Sequence, residues 1–397
     1  MMKFKRLAIL LIVLLFVYIP FQSSAQWLHK TFNFDGISRD YWVYVPPSYN
    51  TSNPASLVVT LHGMGDNDTN FRAVGFNLIA DTANFLVLVP NAVPFNSTNL
   101  LVQAVIGGSR TWNSGAGVNI PLVGDVFPNS EINDVGFINA MVDATLNEYT
   151  VNQKRVYICG FSKGGFMTQR MALESNSRFA AFATAAGTFG SSITNPNPGR
   201  GIPLAHFNGT TDEKVNWQAN NPLFQMTVDS MINFWVDHNN CDITPVHTLL
   251  PDTQNDGFTV EHDVYGNGDD GSVLEVFKVN GAGHIWLDSN NDISYTKEMW
   301  KFFSRYTFET AGIEKITDQN SLKIYPNPSS NVVNIELSMD ITEPYLVTLF
   351  DMKGRKVMEN QSQLKSLQLP VSEFKSGIYL LKINNSSLNI TQTLVIE

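Results

Sequence analysis

The sequence predicts an α/β fold, a mostly parallel sheet covered on both faces by helices, followed by a small all-β domain. Three observations predict it. Up to Tyr306, short apolar runs closed by a glycine or proline alternate with segments of helical periodicity. A serine between two glycines, Gly160-Phe161-Ser162-Lys163-Gly164, joins one such run to one such helix. Beyond a polar stretch after Tyr306, every recognisable element is a strand.

Taken in order, residues 1–25 read as a signal peptide. Lys3, Lys5 and Arg6 precede the apolar run 7–19, and Ser23-Ser24-Ala25 offers a small-residue cleavage site before Gln26. The run is short for a retained transmembrane anchor, the competing reading. Residues 30–34 and 41–45 alternate around Asp35-Gly36, a hairpin signal. Strand runs follow at 57–61, 85–89, 156–159, 179–183, 204–207 and 274–279. Helical patterns fall at 71–80, 134–149, 166–174, 224–238 and 293–306. In the second of these, Ile138, Val142, Thr145, Leu146 and Tyr149 form a core-facing stripe. Alternating strand and helix imply a parallel sheet buried on both faces, and a leading antiparallel hairpin on such a sheet is the layout of an α/β-hydrolase. The expected boundaries are 1–25 signal peptide, 26–308 hydrolase domain, 309–320 linker and 321–397 a small Ig-like β-sandwich.

The 397 residues carry a net charge of −10, which becomes −13 once Lys3, Lys5 and Arg6 leave with the signal. The segment 321–397 holds seven basic and seven acidic residues, so the negative excess lies in the main domain. An acidic domain argues against nucleic acid or an anionic membrane as partner. Two cysteines, Cys159 and Cys241, make no disulfide scaffold. Cys159 closes a central strand run, where a buried free thiol is the ordinary outcome, and a Cys159–Cys241 bridge is the alternative.

A strand-to-helix turn is the context in which G-x-S-x-G has chemical meaning, because the tight turn strains the serine and lifts its hydroxyl above the sheet. A serine hydroxyl needs a base, the base an orienting acid, and the developing oxyanion needs donors. In this layout the chain order is serine, acid, histidine. Of the seven histidines, His29 and His62 precede Ser162. His206 lies in a strand, His238 ends a helix, and His247 and His262 sit in polar segments. His284 follows the strand 274–279 through Gly281-Ala282-Gly283, where the base belongs. The acid is expected in the loop after the strand 204–207. Asp212 is the candidate, its neighbour Glu213 the rival, and Asp256 and Asp288 are weaker because neither follows a buried strand closely. The oxyanion donors are expected to be the backbone N–H groups of Lys163 and of Met64, in His62-Gly63-Met64-Gly65.

Residues 91–133 read as a long polar loop of the kind that carries substrate contacts. Trp112 there is a candidate to stack on an aromatic acyl group or a sugar ring, and equally a candidate to pin the loop to the core. Trp286, beside His284, is the second candidate substrate contact. The oxygen-rich stretches 266–271 and 288–292 match no full calcium loop, and neither a zinc ligand set nor a phosphate loop occurs, so no metal or cofactor is expected.

These residues resemble a known family. The segments 36–46, Leu61-His62-Gly63, Arg110-Thr111-Trp112-Asn113, Asn133-Asp134-Val135-Gly136-Phe137, 155–167 and Gly281-Ala282-Gly283-His284 fall in the order seen in the polyhydroxybutyrate-depolymerase-like esterases, which include feruloyl and acetylxylan esterases of plant cell walls. The resemblance spans most of 27–306. It implies extracellular ester hydrolysis through Ser162, Asp212 and His284, with feruloyl or acetyl groups on polysaccharide as the expected substrate and a polyester as the alternative. Many relatives carry cysteines just after the tryptophan-asparagine element; none occurs here between Trp112 and Asn133, which leaves the acyl group open. The tail resembles a type IX secretion sorting domain through Ile324-Tyr325-Pro326-Asn327-Pro328, 349–357 and 377–383. That implies the secretion machinery as a partner and an extracellular or surface location. A carbohydrate-binding or adhesive module is the rival for the tail. A serine peptidase or a non-catalytic adhesin is the remaining alternative for the whole.

Overall fold

The computed structural model describes residues 25–193, 198–219, 224, 226–308, 322–337, 344–351, 355–384 and 389–397. The expected linker, and all of the expected signal peptide except Ala25, lie outside the described residues. The chain divides into two compact units, Met1–Phe308 and Glu309–Glu397.

In the first unit the strands are β1 (Gln26–Phe34), β2 (Ile37–Val45), β3 (Ala55–Leu61), β4 (Phe85–Pro90), β5 (Val118–Ile120), β6 (Gly124–Val126), β7 (Val151–Phe161), β8 (Ala181–Ala185), β9 (Leu204–Gly209), β10 (Val246–Leu249), β11 (Thr259–Tyr265) and β12 (Leu274–Asn280). The helices are α1 (Asp68–Phe71), α2 (Phe76–Ala83), α3 (Leu100–Ile106), α4 (Asp134–Glu148), α5 (Lys163–Glu174), α6 (Val228–His238) and α7 (Tyr295–Phe303). Ten strands form one sheet in the order β1-β2-β4-β3-β7-β8-β9-β12-β11-β10. Strands β4, β3, β7, β8, β9 and β12 run parallel, and antiparallel pairs flank them at both edges. This is the α/β-hydrolase fold.

The central strands are apolar without interruption because both faces are covered: every residue of β3, β4, β8 and β9 is buried. One core lies on the face packed by α4, α5 and α6, around Phe137, Met171 and Trp235, and the other on the face packed by α2 and α7, around Phe76, Tyr157 and Phe303. The β1–β2 hairpin turns at Asp35 and Gly36, both with φ above zero (49° and 77°), as a two-residue turn between right-twisted strands demands.

Two stretches depart from the sequence expectation. The span 91–133 is not one loop. It holds α3 and the β5–β6 hairpin, joined by a small apolar cluster of Val102, Ile106 and Ile120, with Met64 and Val118 packed on it. His247 lies on the edge strand β10 and His262 on its antiparallel neighbour β11. Strand β10 reads as a polar segment because it is exposed along its whole length, so no buried face imposes alternation. No helix among the described residues is long and apolar enough to cross a membrane.

The second unit is a two-sheet β-sandwich. Leu322–Tyr325, Val332–Leu337 and Ser366–Pro370 form one antiparallel sheet; Tyr345–Asp351, Lys356–Ser362, Gly377–Asn384 and Asn389–Ile396 form the other. Alternate residues of both sheets, among them Val333, Ile335, Val347, Leu349, Leu381 and Ile383, meet in one core.

Candidate active site

Strand β7 ends at Phe161 and α5 begins at Lys163, leaving Ser162 alone to make the turn. Its φ of 53° and ψ of −121° lie in strained territory, costing of the order of 1–3 kcal/mol for a residue with a side chain. Close packing holds the strain in place. A Cβ on Gly164 would overlap the carbonyl oxygen of Leu61, and one on Gly160 would overlap that of Gly164. Ser162 N–H donates to Ala185 O at 2.9 Å, tying the turn to the neighbouring strand.

The ends of β9 and β12 bring in the next two groups. Thr211 N–H donates to Ala282 O at 2.9 Å, so the loops after these strands lie side by side. His284 Nε2 is 2.9 Å from Ser162 Oγ, and its Nδ1 is 2.8 Å from Asp212 Oδ2. A carboxylate only accepts, so the proton sits on Nδ1 and leaves Nε2 as acceptor for the serine hydroxyl. Asp212 is fully buried at its side chain. Its other oxygen accepts from the amides of Lys214 (2.8 Å) and Val215 (2.9 Å), which locks the carboxylate plane. The rival Glu213 points elsewhere, into the lining of the cavity beside Ser162.

The loop after β3 is held from three sides. His62 is fully buried; its Nδ1 donates to Gly63 O at 2.7 Å, and its Nε2 accepts from Ala92 N–H at 3.1 Å. Burial pulls the His62 pKa down and keeps the ring neutral, as this bonding pattern requires. Gly65 N–H donates to Arg110 O at 2.9 Å. Between these anchors, no hydrogen-bond acceptor among the described residues takes the Met64 N–H or the Lys163 N–H. Met64, Ser162, Lys163 and His284 share the wall of one cavity of about 430 Å³, completed by Gly117, Val118, Asn119, Phe166, Glu213, Lys214, Val215 and Phe224. A hollow of similar size near Arg200 and His238 contains no nucleophile.

Neither tryptophan candidate is among the residues lining the cavity. Trp112 is fully buried. Its Nε1 donates to His62 O at 2.9 Å and its ring packs on the His62 ring, so it pins the oxyanion-side loop and cannot reach a substrate. Trp286 is half-buried, packs edge-on against Phe71, Phe161 and Tyr295, and is not among the residues lining the cavity.

Sequence reasoning missed a buried brace under the same loop. Arg39 Nη2 donates to Asp134 Oδ1 at 2.7 Å, and Asn113 N–H donates to Asp134 Oδ2 at 2.7 Å. Burial pushes the Asp134 carboxyl up, against the pull of Arg39 and the Asn113 amide. The aspartate of Asn133-Asp134 is therefore a support for the 110–114 segment; a charged pair between a strand and a helix start was the available signal. Sequence reasoning also passed over the Lys163 side chain, which is only 6% exposed. Both cysteines are free and buried.

Residues 49–259 match the family model described as Phospholipase/Carboxylesterase, and residues 323–397 match that described as Secretion system C-terminal sorting domain. The chain is 26% identical over 279 residues to the bifunctional acetylxylan esterase/xylanase XynS20E of Neocallimastix patriciarum, covering 69% of this chain and 34% of that protein. It is 26% identical over 277 residues to an acetylxylan esterase of Coprinopsis cinerea (64% of this chain, 67% of that one). It is 24% identical over 251 residues to poly(3-hydroxyalkanoate) depolymerase C of Paucimonas lemoignei (58% and 55%). The chain thus spans about a third of the first of these relatives. The first match alone takes in more than half of the chain, so the protein belongs to the phospholipase/carboxylesterase family, and its C-terminal sorting domain marks it for secretion or the cell surface.

Proposed function

We propose that the protein cleaves acetyl or feruloyl esters of plant cell-wall polysaccharide, with Ser162 as nucleophile, His284 as base and Asp212 as its orienting acid. The single observation that carries the reading is the unbroken relay from Ser162 Oγ through His284 to Asp212 at a cavity wall. Ser162 Oγ attacks the ester carbonyl carbon while His284 Nε2 takes its proton. Charge develops on the carbonyl oxygen, and the Met64 and Lys163 amides hold it. The alcohol leaves with the proton from Nε2, giving an acyl-Ser162. Water then repeats the sequence, delivering the acid and restoring the serine. Asp212 stays ionised and stabilises the imidazolium formed in each half. The polysaccharide assignment draws on the acetylxylan esterases among the relatives. A polyester is the second reading, favoured by the depolymerase relative and by the apolar Met64, Val118, Phe166, Val215 and Phe224 around the cavity.

The test is a panel of acetylated xylan, methyl ferulate, polyhydroxybutyrate and a peptide amide on purified full-length protein, with Ser162→Ala beside it. Ser162→Ala is expected to lower turnover by about 10⁴-fold or more, and a serine-reactive phosphonate to label Ser162. Labelling of another serine, or turnover that survives the substitution, overturns the mechanism. Faster release from polyhydroxybutyrate than from either wall ester overturns the substrate.

A further inference from the structure

Lys163 carries more chemistry than its backbone amide. Its side chain is buried at the first position of α5, where the helix dipole disfavours a cation. Among the described residues no carboxylate pairs with it, and burial alone pulls its pKa down to about 7. Burial without a counter-charge disfavours a lysine at this position, so the chain holds it there at the expense of stability. The Nζ donates instead to two backbone carbonyls, Ala116 O and Gly117 O. Two turns further along α5, Arg170 Nη1 donates to Asn113 O at 2.7 Å. One helix thus grips the loop at both ends of 113–117. The chain continues from there into Gly117, Val118 and Asn119, which form the cavity wall beside Met64.

We propose that the Lys163 side chain is a positioning and specificity-determining residue, a strut that fixes the 116–119 wall and so sets which ester groups the cavity accepts. The inference rests on the esterase reading of Ser162. The residue that follows the nucleophile then serves twice: its amide faces the oxyanion and its Nζ holds the 116–119 wall. A side chain without donors leaves two buried carbonyls unpaired, and the wall relaxes away from the elbow.

The test uses the full-length chain and Lys163→Met, which keeps the apolar stem and removes the donors. Two quantities are read: the ratio of kcat/KM for p-nitrophenyl butyrate to that for p-nitrophenyl acetate, and amide exchange across 113–120. Loss of hydrogen bonds to buried carbonyls predicts a change of about tenfold in the ratio and about tenfold faster exchange in that segment, with exchange across β7 unmoved. Lys163→Arg, which keeps the donors, should restore the ratio to within about threefold of wild type. If Lys163→Met does not fold, Lys163→Gln, with one donor group left, must move both quantities in the same direction by less. A phosphonate-reactive Ser162 with ratio and exchange both unmoved overturns the strut alone. A wild-type Ser162 that the phosphonate does not label overturns the esterase reading instead.

Discussion

Asp134→Ala probes the brace beneath the 110–114 segment. Asp134 and Arg39 are 0% and 2% exposed at their side chains and 2.7 Å apart. Without the carboxylate, Arg39 keeps only Asn91 O at 3.4 Å and the face of Phe137, 3.7 Å from the ring centroid. Removing one member of a buried pair costs about 3–5 kcal/mol, because the other charge is left in a dry site. The Asn113 amide loses its acceptor as well, a further cost of about 1–3 kcal/mol where no water replaces it. The two losses share one cavity and do not add in full, so a total near 5 kcal/mol is expected, a large share of a domain stability of about 5–15 kcal/mol. The pair itself contributes little net stability, since an apolar pair of similar volume does as well or better in many proteins. Arg39→Met with Asp134→Leu should therefore lose less than Asp134→Ala alone. All seven tryptophans lie before residue 309, so urea unfolding followed by tryptophan fluorescence reports the first unit by itself. A value for Asp134→Ala within about 1 kcal/mol of wild type would refute the argument, because that is the range of an exposed pair.

The acid and the elbow give two further expectations. Asp212→Asn should lower kcat/KM for the preferred ester by about 10³–10⁴-fold, since an amide cannot both accept from His284 Nδ1 and keep the plane set by the Lys214 and Val215 amides. Glu213→Gln should cost less than about tenfold, as a cavity-lining change; a larger loss for Glu213→Gln than for Asp212→Asn, measured on the same ester, would reverse the assignment of the acid. Gly164→Ala forces a methyl into Leu61 O and should lower the urea unfolding free energy by about 1–3 kcal/mol or more. An unfolding midpoint equal to wild type would show that the elbow is not close-packed at Gly164.

What lay open in the sequence was what short-range physics controls. Strands buried on both faces need unbroken apolar runs, which made β3, β4, β8 and β9 readable one by one. A turn in which a Cβ would meet backbone needs glycine, which made Gly160 and Gly164 readable around Ser162. The parallel layout with its leading hairpin then limited the base and acid to the ends of particular strands. Strand order, though, does not say which of two adjacent acidic side chains faces the base. That depends on the loops of β9 and β12 lying against each other, and it is Asp212 that they turn toward His284. Nor does a sequence say whether an aromatic in a polar loop faces water or core: Trp112 is buried in the core it shares with residues of β3 and α4, its indole held by His62 O. The edge strand β10 lacked a pattern because exposure takes away the need for one. Lys163 was read only for its backbone, since a lysine is ordinarily solvated. Its burial comes from a loop about 46 residues earlier in the chain whose carbonyls it reaches. Local covalent and packing rules are written in consecutive residues, while burial of a polar or aromatic side chain is set by segments that meet only when the sheet has closed.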